Sequence, residues 1–208
     1  MNTYSSGENN RIISGAAGDI EAILTVPRHP CDRLMLICHP HPLYGGTMFN
    51  KVVYTVAKAC TALGIINLRF NFRGVGNSQG YYTQGMGEAE DTRVLLTWLQ
   101  TMYPGKTIAL TGFSFGAYVA ACISIDWKLD PLILIAPPIE RFSFPNAVSD
   151  PCYVVQGQQD EIVDYKAVEH WINALQPCPH LLMIPEAGHF FHGKLIELQR
   201  ILSDVLKH

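Results

Sequence analysis

Gly112-Phe113-Ser114-Phe115-Gly116 lies between Thr107-Ile-Ala-Leu-Thr111, an apolar run of strand length, and Ala117-Tyr-Val-Ala-Ala-Cys122, a run of small residues suited to a closely packed helix. A strand that turns directly into a helix leaves one residue at the apex of a very tight bend. The positions two before and two after that apex crowd each other and the neighbouring strand, and glycine alone brings no Cβ to the contact. The pattern predicts that Ser114 stands out above one edge of a sheet. It also predicts that the Phe115 N–H turns into the same space as a donor to an anion. A bare G-x-S-x-G is common by chance; the strand before it and the helix after it make this one specific. The competing reading is an ordinary glycine-rich turn of an α/β sheet.

The remaining sequence repeats the alternation. Arg11–Gly15 and Asp19–Val26, split by Ala-Ala-Gly, read as an antiparallel hairpin. Arg33–Cys38 is continuously apolar after its first residue, as in a strand buried on both faces. Helical spacing over 50–63 leads to a strand at Ile65–Phe70, and a helix over Glu88–Met102 leads to the Thr107 strand. Leu132–Ala136 and Cys152–Gln156 read as further buried strands and His180–Ile184 as the last strand, with helices near Lys166–Leu175 and over Leu195–Val205. The expected fold is α/β: a mostly parallel central sheet with helices on both faces and an antiparallel hairpin at the start. With 208 residues and neither repeat nor linker, the chain reads as one domain over 1–208, with 1–10 as a flexible end.

Composition narrows the function classes. Hydrophobic residues at 48% and charged residues at 16% describe a folded core, and a net charge of −3 offers no electrostatic case for nucleic acid. No apolar run reaches the roughly 18 residues that would insert into a membrane. The N-terminal decapeptide lacks the basic-then-apolar pattern of a signal peptide. Six cysteines without a C-x-x-C pair mostly sit in apolar patterns, which suits a reducing, cytoplasmic setting. The glycines of Asn71-Phe-Arg-Gly-Val-Gly-Asn-Ser-Gln-Gly80 do not match a dinucleotide-binding loop, and the eight histidines show no metal-ligand spacing. No cofactor and no metal are expected. Arg73 is expected to hold the 71–80 loop by bonding carbonyls or a carboxylate.

An activated serine needs a base, and the base needs an acid to orient it. Asp160 follows the Cys152–Gln156 strand, and His189 follows the His180–Ile184 strand, so both loops open on the edge where Ser114 is expected. Glu161 and Glu140 are rival acids, Asp164 reads as a helix cap, and Asp126 and Asp130 precede a strand at the opposite edge. His192 is the rival base, expected in the first turn of the last helix. The loop Cys38-His-Pro-His-Pro-Leu-Tyr-Gly-Gly-Thr-Met48 is placed to give a second oxyanion donor. Pro40 and Pro42 have no N–H. His41 and Leu43 remain, with His41 preferred, while the side chains of His39 and His41 are expected to be structural. Tyr44, Phe142, Phe144 and Phe190 are candidates for the walls of a substrate cleft, and Phe49, Tyr81 and Tyr82 for further apolar wall.

His39-Pro-His-Pro-Leu-Tyr-Gly-Gly-Thr-Met-Phe-Asn-Lys-Val-Val53 and Asn71-Phe-Arg-Gly-Val-Gly-Asn-Ser78, together with the Ser114 turn, resemble a group of small, cap-less bacterial predicted serine hydrolases of the α/β-hydrolase superfamily. The group is related to the dienelactone-hydrolase and prolyl-oligopeptidase-like branches, and the resemblance spans nearly the whole chain. It implies a Ser114–His189–Asp160 triad with the Phe115 N–H and the His41 region as oxyanion hole. Dienelactone hydrolases use cysteine where this chain has Ser114, so their particular reaction does not carry over. Only Pro137–Asp150 separates two strands where many hydrolases insert a lid. The expectation is a serine hydrolase of carboxylic esters or thioesters with short acyl groups, acting on a small-molecule acyl substrate. Alternatives are a peptidase, amidase or acyltransferase with the same triad, or a non-catalytic binding protein on this fold. A homo-oligomer is compatible with everything above.

Overall fold

The structure is a computed structural model and describes residues 5–207. Strands β1 (Gly7–Gly15) and β2 (Gly18–Val26) form an antiparallel hairpin around Ala16 and Ala17. β1 starts four residues before Arg11, so Gly7–Asn10 are paired strand and not part of a loose end. The Glu8 carboxylate meets the Arg69 guanidinium, which secures this polar stretch to the sheet. Met1–Tyr4 lie outside the described residues.

Six further strands follow: β3 (Arg33–Cys38), β4 (Ile66–Phe70), β5 (Thr107–Phe113), β6 (Leu129–Ile135), β7 (Cys152–Gly157) and β8 (His180–Ile184). The sheet order is β1-β2-β4-β3-β5-β6-β7-β8, antiparallel through β1, β2 and β4 and parallel from β4 to β8. The helices are α1 (Lys51–Ala62), α2 (Met86–Met102), α3 (Phe115–Ser124), α4 (Tyr165–Asn173) and α5 (Leu195–Leu206). None of the described helices is long and apolar enough to cross a membrane.

Alternation along each strand explains the unbroken apolar runs. Leu34 and Leu36 of β3 face a core built with α2, α3 and α4, while Met35 and Ile37 face a second core built with α1 and α5. Each fully buried side chain of this kind contributes about 1.5–3 kcal/mol of transfer free energy, so a strand covered on both faces must be apolar at nearly every position. β6 begins at Leu129, three residues earlier than its apolar run, past a register shift opposite Ile108 and Leu110. Asp130 therefore lies inside the strand, at its amino end.

The chain leaves β3 through α1 toward β4 on one side, and leaves β5 through α3 toward β6 on the other. A crevice opens at the carboxyl ends of neighbouring strands whose connections part in this way. Ser114, directly after β5, stands there.

Candidate active site

The β5–α3 turn is as tight as its two glycines require. A Cβ on Gly112 would sit 2.0 Å from the Gly116 carbonyl oxygen, and one on Gly116 would sit 2.5 Å from that of Cys38. Ser114 itself takes φ 54° and ψ −118°, a conformation that costs a non-glycine residue on the order of 1–3 kcal/mol. The turn is held by the Ser114 N–H donating to Ile135 O (2.8 Å) and the Ala117 N–H donating to Ser114 O (2.8 Å).

Three side chains from three loops meet above this edge. Ser114 Oγ is 3.0 Å from His189 Nε2, and His189 Nδ1 is 2.9 Å from Asp160 Oδ2. Asp160 Oδ1 accepts the N–H groups of Ile162 (2.9 Å) and Val163 (2.8 Å), and Oδ2 also accepts from Gln156 Nε2 (2.9 Å). Burial pushes the Asp160 carboxyl up, but the His189 hydrogen bond and charge, with the two backbone donors, outweigh it and hold the group below its ordinary value. A carboxylate can only accept, so Nδ1 of His189 carries the proton and Nε2 is left to accept from the serine hydroxyl. The His189 side chain is 3% exposed and that of Asp160 is fully covered.

The rival groups have other work. Glu161 Oε2 accepts the backbone N–H of His189 (3.0 Å), so it fixes the histidine loop and not the imidazole. Asp164 caps α4 through Lys166 N (3.0 Å). Glu140 is exposed on the β6–β7 connection. His192 lies exposed in the turn before α5, which begins at Leu195, so it is not in the helix where the spacing put it. The turn Phe191–Lys194, closed by the Lys194 N–H on Phe191 O, delays the helix by one turn.

The loop after β3 is stiffened by its own imidazoles. His39 Nε2 accepts the Phe72 N–H (2.9 Å), which leaves Nδ1–H to donate to Pro40 O (2.6 Å). The His41 ring accepts the Leu43 N–H at Nδ1 (3.2 Å) and meets Tyr82 Oη at Nε2 (3.1 Å). Its centroid is 5.0 Å from that of Phe115. The Leu43 N–H is thus occupied, whereas no such bond ties up the His41 N–H among the described residues. Arg73 grips Asp91 with two bonds, Nε–Oδ2 at 2.8 Å and Nη2–Oδ1 at 2.9 Å, and so holds the loop after β4 to α2.

A cleft of about 190 Å³ opens on Ser114 and His189. Tyr44, Phe115, Phe142, Ile162 and Phe190 give it apolar walls, and Asn50 and Arg141 add polar groups. Phe144 does not line it: its ring packs against Trp171 (5.2 Å) and Tyr118 (5.4 Å), behind the wall that Phe142 makes by stacking on Tyr118 (4.7 Å). Phe49 and Tyr81 are exposed elsewhere, and Tyr82 supports His41 from behind. The sequence did not single out Asn50, Arg141 and Ile162. The N-cap signature of Asn50 (its Oδ1 accepts from Val52 N) is the one local signal among them.

The strand order, the strained serine at the β5–α3 turn and the crevice above it define an α/β-hydrolase. No family model matches the chain. It is 36% identical over 205 residues to an uncharacterized protein of Rickettsia prowazekii, covering 93% of this chain and 86% of that one. The structure is similar to that of an α/β serine hydrolase homologue from Coxiella burnetii, with 42% identity, a TM-score of 0.94 and coverage of 98% of this chain and 100% of that one. It is also similar to a lid-less α/β serine hydrolase of Xanthomonas campestris, with 37% identity, a TM-score of 0.93 and coverage of 98% and 95%. The chain belongs to the α/β serine hydrolases without a lid.

Proposed function

We propose that this protein hydrolyses carboxylic esters or thioesters of short acyl groups through an acyl-enzyme on Ser114. The observation that carries the reading is the unbroken relay from Ser114 Oγ through His189 to Asp160, at 3.0 and 2.9 Å, at the floor of an apolar cleft. Ser114 Oγ attacks the carbonyl carbon while His189 Nε2 takes its proton. The tetrahedral oxyanion is held by the N–H groups of Phe115 and His41. His189 then gives the proton to the departing alcohol or thiol, and water, deprotonated by the same nitrogen, releases the acid. Asp160 keeps the imidazole in the right tautomer and stabilises it when charged. The cleft volume is below the roughly 300–1,000 Å³ of pockets that enclose drug-sized ligands, which favours small acyl groups. We place the reaction in the cytoplasm, because all six cysteines are free thiols.

A fluorophosphonate probe should label the protein once, and Ser114→Ala should abolish labelling. The same variant should lower kcat by about 10⁶, the size seen where triad residues act as a unit. A folded Ser114→Ala protein that keeps more than about a tenth of the esterase activity, or still takes up the probe, overturns the reading.

A further inference from the structure

Arg141 brings a formal charge to the rim of a largely apolar cleft. Arg141 lies on the short connection between β6 and β7, where its N–H donates to Pro138 O (3.0 Å) and closes a turn at the cleft rim. Several other arginines have work within the fold, whereas Arg28, exposed between β2 and β3 and away from the cleft, bonds to no described residue. Arg33 donates to Leu206 O, and Arg69, Arg73, Arg93 and Arg200 each hold a carboxylate. The Arg141 guanidinium makes no hydrogen bond or ion pair with any described residue.

Arg141 is exposed at the rim, and no described side chain pairs with its charge. Among the described residues no acidic side chain lines the cleft, and the Asp160 carboxylate is wholly covered behind His189. Glu140, the chain neighbour of Arg141, is exposed and does not line the cleft. Asn50 uses its side-chain oxygen to cap α1, on Val52 N at 2.9 Å, so what it offers the cleft is an amide donor. Beyond the Ser114–His189 pair, His41 and the Tyr44 phenol, the two remaining polar side chains of the wall are therefore both donors. A neutral acyl group meets nothing in the cleft that needs a cation, whereas a carboxylate or phosphate matches the planar fork of a guanidinium with two parallel bonds.

We propose that Arg141 is a specificity-determining residue that selects substrates bearing an anionic group, a carboxylate or phosphate, near the scissile acyl bond, with the Asn50 amide as a second donor. The inference rests on the hydrolase reading above and names the substrate class of that site. The anion can sit on the acyl part or on the alcohol or thiol part; the chemistry that recognises it is the same.

Two matched pairs of esters separate these sources and test the assignment. 4-Nitrophenyl hydrogen glutarate against its methyl ester places the charge on the acyl side. 4-Carboxyphenyl butyrate against its methyl ester places it on the leaving side. In at least one pair kcat/KM should favour the anion by about tenfold or more over the ratio shown by Arg141→Gln, mainly through KM, with Arg141→Lys intermediate because it keeps the charge and loses the fork. The preference should shrink in 0.5 M salt. Arg141→Gln should still take up the fluorophosphonate probe on Ser114, which shows that the serine and its base remain assembled. Equal use of charged and neutral esters in both pairs, or a preference that survives Arg141→Gln, overturns the assignment of Arg141 while leaving the hydrolase reading in place. Failure of all four esters together with failure of labelling overturns both.

Discussion

Acid should release the loop that carries His41, and His39 sets the pH at which it does so. The His39 ring is fully buried, accepts the Phe72 N–H at Nε2 and donates from Nδ1 to Pro40 O. It thereby ties the loop after β3 to the loop after β4. A second proton would place Nε2–H against the Phe72 N–H. Burial holds the ring neutral and pushes its pKa from 6.5 down to about 4, with the Pro40 carbonyl opposing in part. Because the folded value lies below the unfolded one, the unfolded chain takes up the proton first as the pH falls. The stability contributed by the neutral ring is thus complete above about pH 6.5 and is lost progressively down to about pH 4. At about 1.4 kcal/mol per pH unit across that gap, the loss is about 3 kcal/mol, a large part of the stability of an ordinary domain. The measurement is urea unfolding of the wild type and His39→Leu at intervals from pH 7 to pH 4. At pH 7 the variant should be less stable by about 2–4 kcal/mol, since the Phe72 N–H and Pro40 O both lose a buried partner. Toward pH 4 that gap should close by about 3 kcal/mol, because only the wild type carries the linkage at this position. His41, which burial also pushes down against an opposing effect of Glu88, is common to both proteins and cancels. A gap that stays constant across the whole range would refute the reasoning.

Asp160→Asn should preserve the fold and lower kcat by about 10⁴, as loss of the imidazole's orienting carboxylate does in serine proteases. Glu161→Gln, which only weakens the bond to the His189 N–H, should cost less than about tenfold; the reverse ranking in steady-state kinetics would mean that the wrong carboxylate carries the acid role. Asp91→Ala leaves the Arg73 guanidinium, 8% exposed at the side chain, with the exposed Glu90 at 3.5 Å in place of its bidentate partner, and should destabilise the protein by about 1.5–3 kcal/mol. A denaturation midpoint change worth less than about 1 kcal/mol would show that water reaches Arg73. In a 4-nitrophenyl ester series kcat/KM should peak at roughly two to six acyl carbons, since each methylene contributes about 0.8 kcal/mol only when fully removed from water. A steady climb to twelve or sixteen carbons would reveal an enclosed tunnel.

Features that repeat along one strand, or that forbid a side chain, were legible in the sequence. β3 and β5 announced themselves because a strand covered on both faces must be apolar at successive positions, and Ser114 did so because Gly112 and Gly116 admit no Cβ. Asp160 and His189 could be located because each lies on the loop that leaves the carboxyl end of a strand, β7 and β8 respectively. What stayed hidden depends on partners far away in sequence or on irregular backbone. Gly7–Asn10 carries no apolar alternation, and its place in β1 rests on pairing with β2 and on Arg69, sixty-one residues beyond Glu8. Leu129–Asp130-Pro131 reads poorly as strand, since proline cannot donate to a ladder, and the register shift against β5 leaves no pattern to read. Phe142 and Phe144 are two residues apart on a segment with no helix or strand period, so nothing in their spacing says which one faces the cleft; Tyr118, on α3, decides it by stacking on Phe142. The choice between the N–H groups of His41 and Leu43 turns on one bond from the Leu43 backbone to the His41 ring. Arg141 follows the same logic: an arginine in a loop is unremarkable as sequence, and becomes informative only when the fold is seen to set it, without a partner among the described residues, on the rim of the cleft that opens on Ser114.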